Sequence, residues 1–419
     1  MNLSPSAPST TEAPWYRGID PVAWRALIAS GAGWMLDGMD VMLYAMALGP
    51  IKAEFGLTNG EAGAVASVTL LAAAFGGSLG GLFADRFGRV RMLMVSILVY
   101  SIFTAMTATA HNVATLVLWR TLVGFGMGGE WSCGAVLVAE TWPAKHRGKA
   151  IGLMQSGFAI GYVLAALLAY FIVDRWGWRP LFVVGIAPAL LTLWIRKNLP
   201  EPAIWSKQAS PERGLTGALP ILMSPPYLRR AIIATSCCTL LLCAYWGLFT
   251  WMPSYLSRKV EDGGAGLGVT KTMLWIVTTQ AGAFLGYASF GFIADKFGRK
   301  PTFLAFVLGA AVVVPIYGWS TRSETTLLIV GPFMGFFGHG YFSVFGSMLA
   351  ELFPSAIRAT AQGMCYNAGR AASAGAPLTI GYLSDHIGLG PTLGLTSVLY
   401  VLGAGLVLLL PETRGKEIE

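Results

Sequence analysis

Long apolar runs alternate with short polar connections along the whole chain. Twelve runs read as helices, at about 27–50, 61–84, 92–110, 113–139, 149–173, 179–196, 230–256, 272–294, 302–320, 325–351, 360–383 and 391–410. Each has close to the roughly 20 residues that a helix needs to cross the hydrocarbon core of a bilayer. A membrane barrel would instead show short segments of alternating polarity. The pattern predicts an all-α membrane protein of twelve transmembrane helices. Residues 1–26 read as a tail without the basic start, apolar centre and cleavage site of a signal peptide. Residues 27–197 form a first six-helix bundle, 198–228 a polar linker, 229–410 a second six-helix bundle and 411–419 a second tail.

Composition fits lipid rather than water as the solvent. Charged residues make up 12% of the chain, about half the share in a soluble domain. The net charge of +8 is explained by where the cations fall. With the N-terminus inside, twenty Lys and Arg lie in inner segments and seven in outer loops. That asymmetry places both termini in the cytoplasm, and leaves a nucleic-acid partner without support. The remaining two cations, Arg120 and Arg370, lie within spans. Five cysteines all fall in apolar runs without metal or disulfide spacing, and read as small buried side chains.

The chain repeats itself. Gly81-Leu-Phe-Ala-Asp85-Arg86-Phe-Gly88-Arg89 returns as Gly291-Phe-Ile-Ala-Asp295-Lys296-Phe-Gly298-Arg299, offset by 210. Glu140, Pro143, Arg147, Ala150 and Gly152 return as Glu351, Pro354, Arg358, Ala361 and Gly363, offset by 211. Two six-helix halves in parallel repeat place a substrate site between them, near the membrane midplane. The matched Glu140, Arg147, Glu351 and Arg358 at helix ends point to latching the halves with the loop arginines.

The doubled loop resembles the signature of the major facilitator superfamily, and the resemblance covers the whole chain. It implies twelve helices in two bundles working by alternating access. It also implies that the loop residues Asp85, Arg86, Gly88, Arg89, Asp295, Gly298 and Arg299 help latch the cytoplasmic side. Arg120-Thr-Leu-Val-Gly-Phe-Gly-Met-Gly-Gly-Glu130 is similar to the family's fourth-helix motif. Pro200-Glu-Pro-Ala-Ile-Trp205 and Pro411-Glu-Thr-Arg-Gly-Lys416 are similar to markers carried by sugar porters and metabolite–proton symporters. Asp37-Gly-Met-Asp40 and Gly128-Gly-Glu-Trp131 most resemble the aromatic-acid and sialate–proton symporters. Two patterns are missing. Gly157-Phe-Ala-Ile-Gly161 stands where proton antiporters carry a Pro-containing motif. The sugar-porter Gln-Gln pattern is absent from the seventh helix, where Tyr245-Trp-Gly-Leu-Phe-Thr-Trp-Met-Pro253 stands.

The chemistry lies in charges inside the spans, where a charge is costly and marks function by default. At about 1.5 Å per residue, Asp37 counts to roughly 15 Å from the inner edge and Asp40 to roughly 20 Å. By the same count Arg120 is level with Asp40, and Arg370 is level with Asp37. The expected division of labour has Arg370 holding a substrate carboxylate through its planar fork. Asp37 and Asp40 then carry or gate the proton, with Arg120 as the cation that couples the two events. A static Asp40–Arg120 ion pair is the alternative. Glu130 counts to about 5 Å from the inner edge, where pairing and proton coupling both remain open. Tyr44, Gln155, Gln280, Tyr366 and Asn367 are candidates to complete the substrate pocket. His339 reads first as a packed residue, and Tyr245, Trp246 and Trp251 as ring-stacking or packing residues.

No nucleophile elbow, metal cluster or Walker loop stands in the sequence. The expectation is a transporter and not an enzyme, with no cofactor or metal and the proton as coupling ion. It would act as a monomer in the inner membrane on a small organic anion: an aromatic acid, a sialate-like acid or an aliphatic carboxylate. The alternatives are a proton-linked porter of neutral sugars or polyols, and a membrane sensor on the same fold.

Overall fold

The computed structural model describes residues 16–143, 146–201, 220–319, 323–354 and 357–413. Side chains at 82, 85, 132, 262, 269, 295, 317–319, 344, 346–347, 350 and 358–360 lie outside that description. Asp85, Asp295 and Arg358, expected in the latch, are among them, as are parts of both tails and residues 202–219 of the linker.

Helix ends follow local capping chemistry. The first helix, Pro21–Phe55, opens on Asp20, whose carboxylate accepts the Val22 N–H at 2.7 Å. Proline at the first position adds a pre-set φ where no N–H is needed. The second, Asn59–Phe87, opens on a reciprocal box between Thr58 and Glu61. Asn112 and Thr115 do the same for the fourth, Val113–Thr141. The third is Arg89–Thr107, the fifth Arg147–Trp176, the eighth Gly268–Phe297, the ninth Arg299–Trp319 and the twelfth Leu389–Leu409.

Four spans are broken, which hydropathy does not reveal. The sixth runs as Arg179–Val184 and Ala189–Asn198, and the seventh as Pro225–Phe249 and Met252–Ser257. The tenth splits at Tyr341 into Glu324–Gly340 and Phe342–Glu351. The eleventh splits into Arg358–Ser373 and Ala376–Ile387. Pro188, Pro253 and Pro377 stand at three of these breaks, where a missing N–H and a ring clash interrupt the ladder. The break in the tenth follows Gly335, Gly338 and Gly340. Among the described residues nine helices are long and apolar enough to cross a membrane. The first, with Asp37 and Asp40 in its middle, falls outside that set, as do the tenth and eleventh, whereas the broken sixth and seventh are within it.

Packing follows the repeat. The first helix lies on the fifth and the second on the fourth; correspondingly the seventh lies on the eleventh and the eighth on the tenth. The halves meet where the fifth packs on the eighth and the second on the eleventh. Large apolar side chains face outward, with Leu190 and Val312 each 69% exposed. Asp37, Asp40, Arg120, Glu130 and Arg370 are buried. An apolar exterior over a charged interior suits a lipid solvent.

Both repeat loops turn through a glycine at φ 109° (Gly88) and 106° (Gly298), a region that side chains avoid. Beyond each turn a carboxylate from the end of the same half caps the next helix. Glu201 accepts the Val90 and Arg91 N–H groups at 3.1 Å each. Glu412 accepts those of Arg299 at 3.0 Å and Lys300 at 3.1 Å. The loop arginines pair with the repeated glutamates, Arg89 with Glu140 at 3.4 Å and Arg299 with Glu351 at 3.7 Å. The expectation is that these glutamates help latch the halves; these two pairs each lie within one half. Each pair ties a loop to a helix end of its own half, because the fourth helix ends beside the second–third loop and the tenth beside the eighth–ninth.

Candidate functional site

Both acids of the first helix are buried. Asp40 is fully buried, and neither carboxylate oxygen has a hydrogen-bond partner. Its Oδ1 stands 3.2 Å from where a Cβ on Gly185 would lie, so it points to the broken sixth span. Arg120 and Thr104 are near enough to act on it. They form no ion pair: Asp40 and Arg120 are more than the 4 Å of a salt bridge apart, which removes the static-pair alternative in this conformation. Asp37 feels the field of Arg370 from the other half, again without contact. Glu130 of the fourth helix joins these acids rather than a structural partner. Its Oε1 fills the space that a side chain on Gly33 would take, and Asp37 and Asp40 both repel it. Three carboxylates thus share one buried region of the N-terminal half.

Two small cavities lie between the halves, of about 20 Å³ and 30 Å³. Volumes of this size match one or two waters, far less than a metabolite, so a substrate needs the halves to part. The first is lined by Tyr44, Thr69, Arg120, Thr250 and apolar residues. The second is aromatic, with Trp34, Phe158, Tyr245, Tyr287, Phe342 and Tyr366 around Gln155. Trp246 and Arg370 line both. Arg370 is 4% exposed, and its guanidinium has no hydrogen bond or ion pair among the described residues. Such a cation, set between a mainly apolar and an aromatic cavity, matches a carboxylate bearing an apolar or ring body.

The other expected pocket residues divide. Tyr44 lines the first cavity, but its hydroxyl donates to the Ala62 carbonyl at 2.9 Å and its ring lies 5.2 Å from the Arg120 guanidinium carbon. It therefore positions Arg120. Gln155 and Tyr366 line the second cavity, where Tyr366 stacks on Trp131 across the halves at 4.3 Å. Gln280 and Asn367 line neither cavity: Gln280 is buried with both amide atoms unpartnered, and Asn367 sits against Gly77 of the second helix. The sequence offered Gln280 only as a polar residue within the eighth helix, which does not fix which face of the helix looks inward. Trp251 donates to the Pro377 carbonyl at 3.0 Å, a tie between the seventh and eleventh spans and not a stacking surface. His339 is fully buried among Tyr245, Phe249 and Tyr287, as a packed residue. Trp34, Phe158, Tyr287 and Phe342 were not among the expected residues. They come from four helices, and no local spacing sets them apart from ordinary core.

Contacts between the halves stand on both sides of the cavities. On the face away from the repeat loops, Gly60 N–H donates to Asp385 at 3.1 Å and Leu378 N–H to Ser67 at 3.1 Å. Arg258 donates across the halves to Asn59 there, which also accepts from Lys52 of its own half. On the repeat-loop face the Lys149 ammonium lies 5.0 Å from the centre of the Phe292 ring.

This arrangement, twelve helices in two repeated bundles around a buried charged site, has known relatives. The model of the Major Facilitator Superfamily matches residues 31–272 and 264–419, and the chain belongs to that superfamily. It is 35% identical over 378 residues to the cis,cis-muconate transport protein of Acinetobacter baylyi, covering 88% of this chain and 90% of that one. It is 30% identical over 387 residues to a sialic acid transporter of Escherichia coli, covering 92% and 93%. Among solved structures, the partially occluded inward-open xylose transporter of E. coli superposes with a TM-score of 0.75 at 20% identity, covering 95% of this chain and all of that one. The protein is a multi-pass membrane transporter of the major facilitator fold.

Proposed function

We propose that the protein carries a small organic anion, a carboxylate, together with protons by alternating access between its two halves. The observation that carries this is Arg370: a buried guanidinium without a counter-ion in contact, at the wall of both cavities, with Asp37 of the other half within reach of its field. A neutral sugar leaves that cation unpaired, which is costly in a water-poor site. Relatives whose names specify muconate and sialic acid support the same substrate class. The xylose transporter shares the fold at an identity too low to speak for a sugar.

In this reading the substrate carboxylate takes the fork of Arg370, and its body lies among Tyr245, Trp246 and Tyr366. Drawing Arg370 toward the substrate withdraws its field from Asp37, which then holds a proton more readily. Asp40 and Glu130 extend the proton-holding group. Protons and substrate thereby favour each other's binding, as linkage requires of a symporter. The repeat-loop face, with the excess of Lys and Arg, is cytoplasmic, and the membrane is a bacterial-type inner membrane. The protein works as a monomer without cofactor or covalent chemistry. Uptake into proteoliposomes under an imposed inward proton gradient tests this. Carboxylate accumulation that disappears when the gradient is collapsed supports it, and gradient-linked uptake of xylose alone overturns it.

A further inference from the structure

We infer that the site is built for a dicarboxylate, with one carboxylate on Arg370 and the other on Arg120. The inference rests on the carboxylate reading above and names the substrate class. Both guanidinium groups line the same cavity, one from each half of the molecule. Both are buried, at 2% and 4% exposure. Nε and Nη1 of Arg120 have no hydrogen-bond partner, and the Arg370 guanidinium has no ion pair among the described residues.

A guanidinium offers a planar fork that one carboxylate fills. Two unfilled forks at one cavity call for two carboxylates. The protein's own acids do not supply them. Asp40 is turned onto Gly185 of the sixth span, Glu130 onto Gly33, and Asp37 is not within ion-pair distance of Arg370. The Arg120 guanidinium is held over the Tyr44 ring, and the Tyr44 hydroxyl is fixed on the Ala62 carbonyl. The cation is thus braced from behind rather than neutralised. A dianion bound here also bridges the halves, so filling both forks closes the molecule around the substrate. Its two charges enter beside Asp37, Asp40 and Glu130, and are accepted with protons on those acids.

The test is competition against proton-driven uptake by the full-length protein in proteoliposomes at pH 7. The competitors are adipate, terephthalate, monomethyl terephthalate and benzoate, which separate a flexible and a rigid diacid from matched monoacids. At least one diacid is expected to compete tenfold or more strongly than the half-ester and benzoate. In Arg120→Gln that preference should fall to within about twofold. If Arg120→Gln does not fold, the wild-type comparison decides alone. Half-ester and benzoate competing as well as both diacids overturns the dicarboxylate assignment and leaves the carboxylate reading standing. Uptake of none of the acids, with xylose carried instead, overturns the carboxylate reading itself.

Discussion

Arg370 and Gly33 show how much a single position decides at the site. Replacing Arg370 by Gln removes the charge-assisted fork, worth about 3 kcal/mol to a bound carboxylate. That equals over a hundredfold in affinity. Carboxylate uptake by Arg370→Gln should fall to background while the protein remains folded in detergent, because the residue has no ion pair to lose. Gly33 is the counter-case. A methyl group there meets the Glu130 carboxylate, and overpacking of this kind costs about 1–3 kcal/mol. Gly33→Ala should lower the thermal midpoint, and Gly33→Ala combined with Glu130→Ala should recover most of the loss. The charged residues were legible in the sequence because lipid makes each one conspicuous. Their directions were not. Asp37 and Asp40 are three residues apart, and only the packed neighbours show that Asp40 is turned onto Gly185 of the sixth span.

The elements repeat more faithfully than the motif loops alone suggest. Pro200-Glu201 and Pro411-Glu412 stand at the offset of 211 that also relates Glu140 to Glu351. Each glutamate caps the helix after a repeat loop. Glu201→Gln and Glu412→Gln should each destabilise by about 1 kcal/mol. The two losses should add in the double variant, because the sites share no partner; chemical unfolding in detergent measures both. The sequence displayed these residues but not their task, since their partners are backbone N–H groups that no side-chain pattern marks. Helix existence was readable from apolar run length, whereas the breaks in spans six, seven, ten and eleven were not. A proline near a span end reads equally as a kink or as a boundary.

One surface element has a pH signature. Arg179 and Trp178 donate to Glu54 and hold its carboxyl below the ordinary range. A lowered folded-state value stabilises above the unfolded value of 4.5 and is lost as pH falls through the folded one. The pair is 36–40% exposed, which limits its worth to below about 1 kcal/mol. Glu54→Gln should therefore lower the thermal midpoint slightly at pH 7. It should match the wild type at a pH below both values.

At the scale of the molecule, two halves touch along the second–eleventh and fifth–eighth helix pairs, with small cavities of about 20 and 30 Å³ between them. Function requires those contacts to break on one side at a time, which is what a two-body repeat with a central site provides. The sequence disclosed the two bodies through offsets of 210 and 211. It left open which surfaces meet, because Trp131 and Tyr366, stacked across the halves, lie far apart in the chain. Proton-driven carriage of a carboxylate is tested most directly by proteoliposome uptake with an inward proton gradient imposed and then collapsed. Accumulation of a carboxylate that rises with the gradient, stops with its collapse and is lost in Arg370→Gln is the expected result. Carboxylate uptake that is indifferent to the gradient, or undiminished in Arg370→Gln, would contradict it.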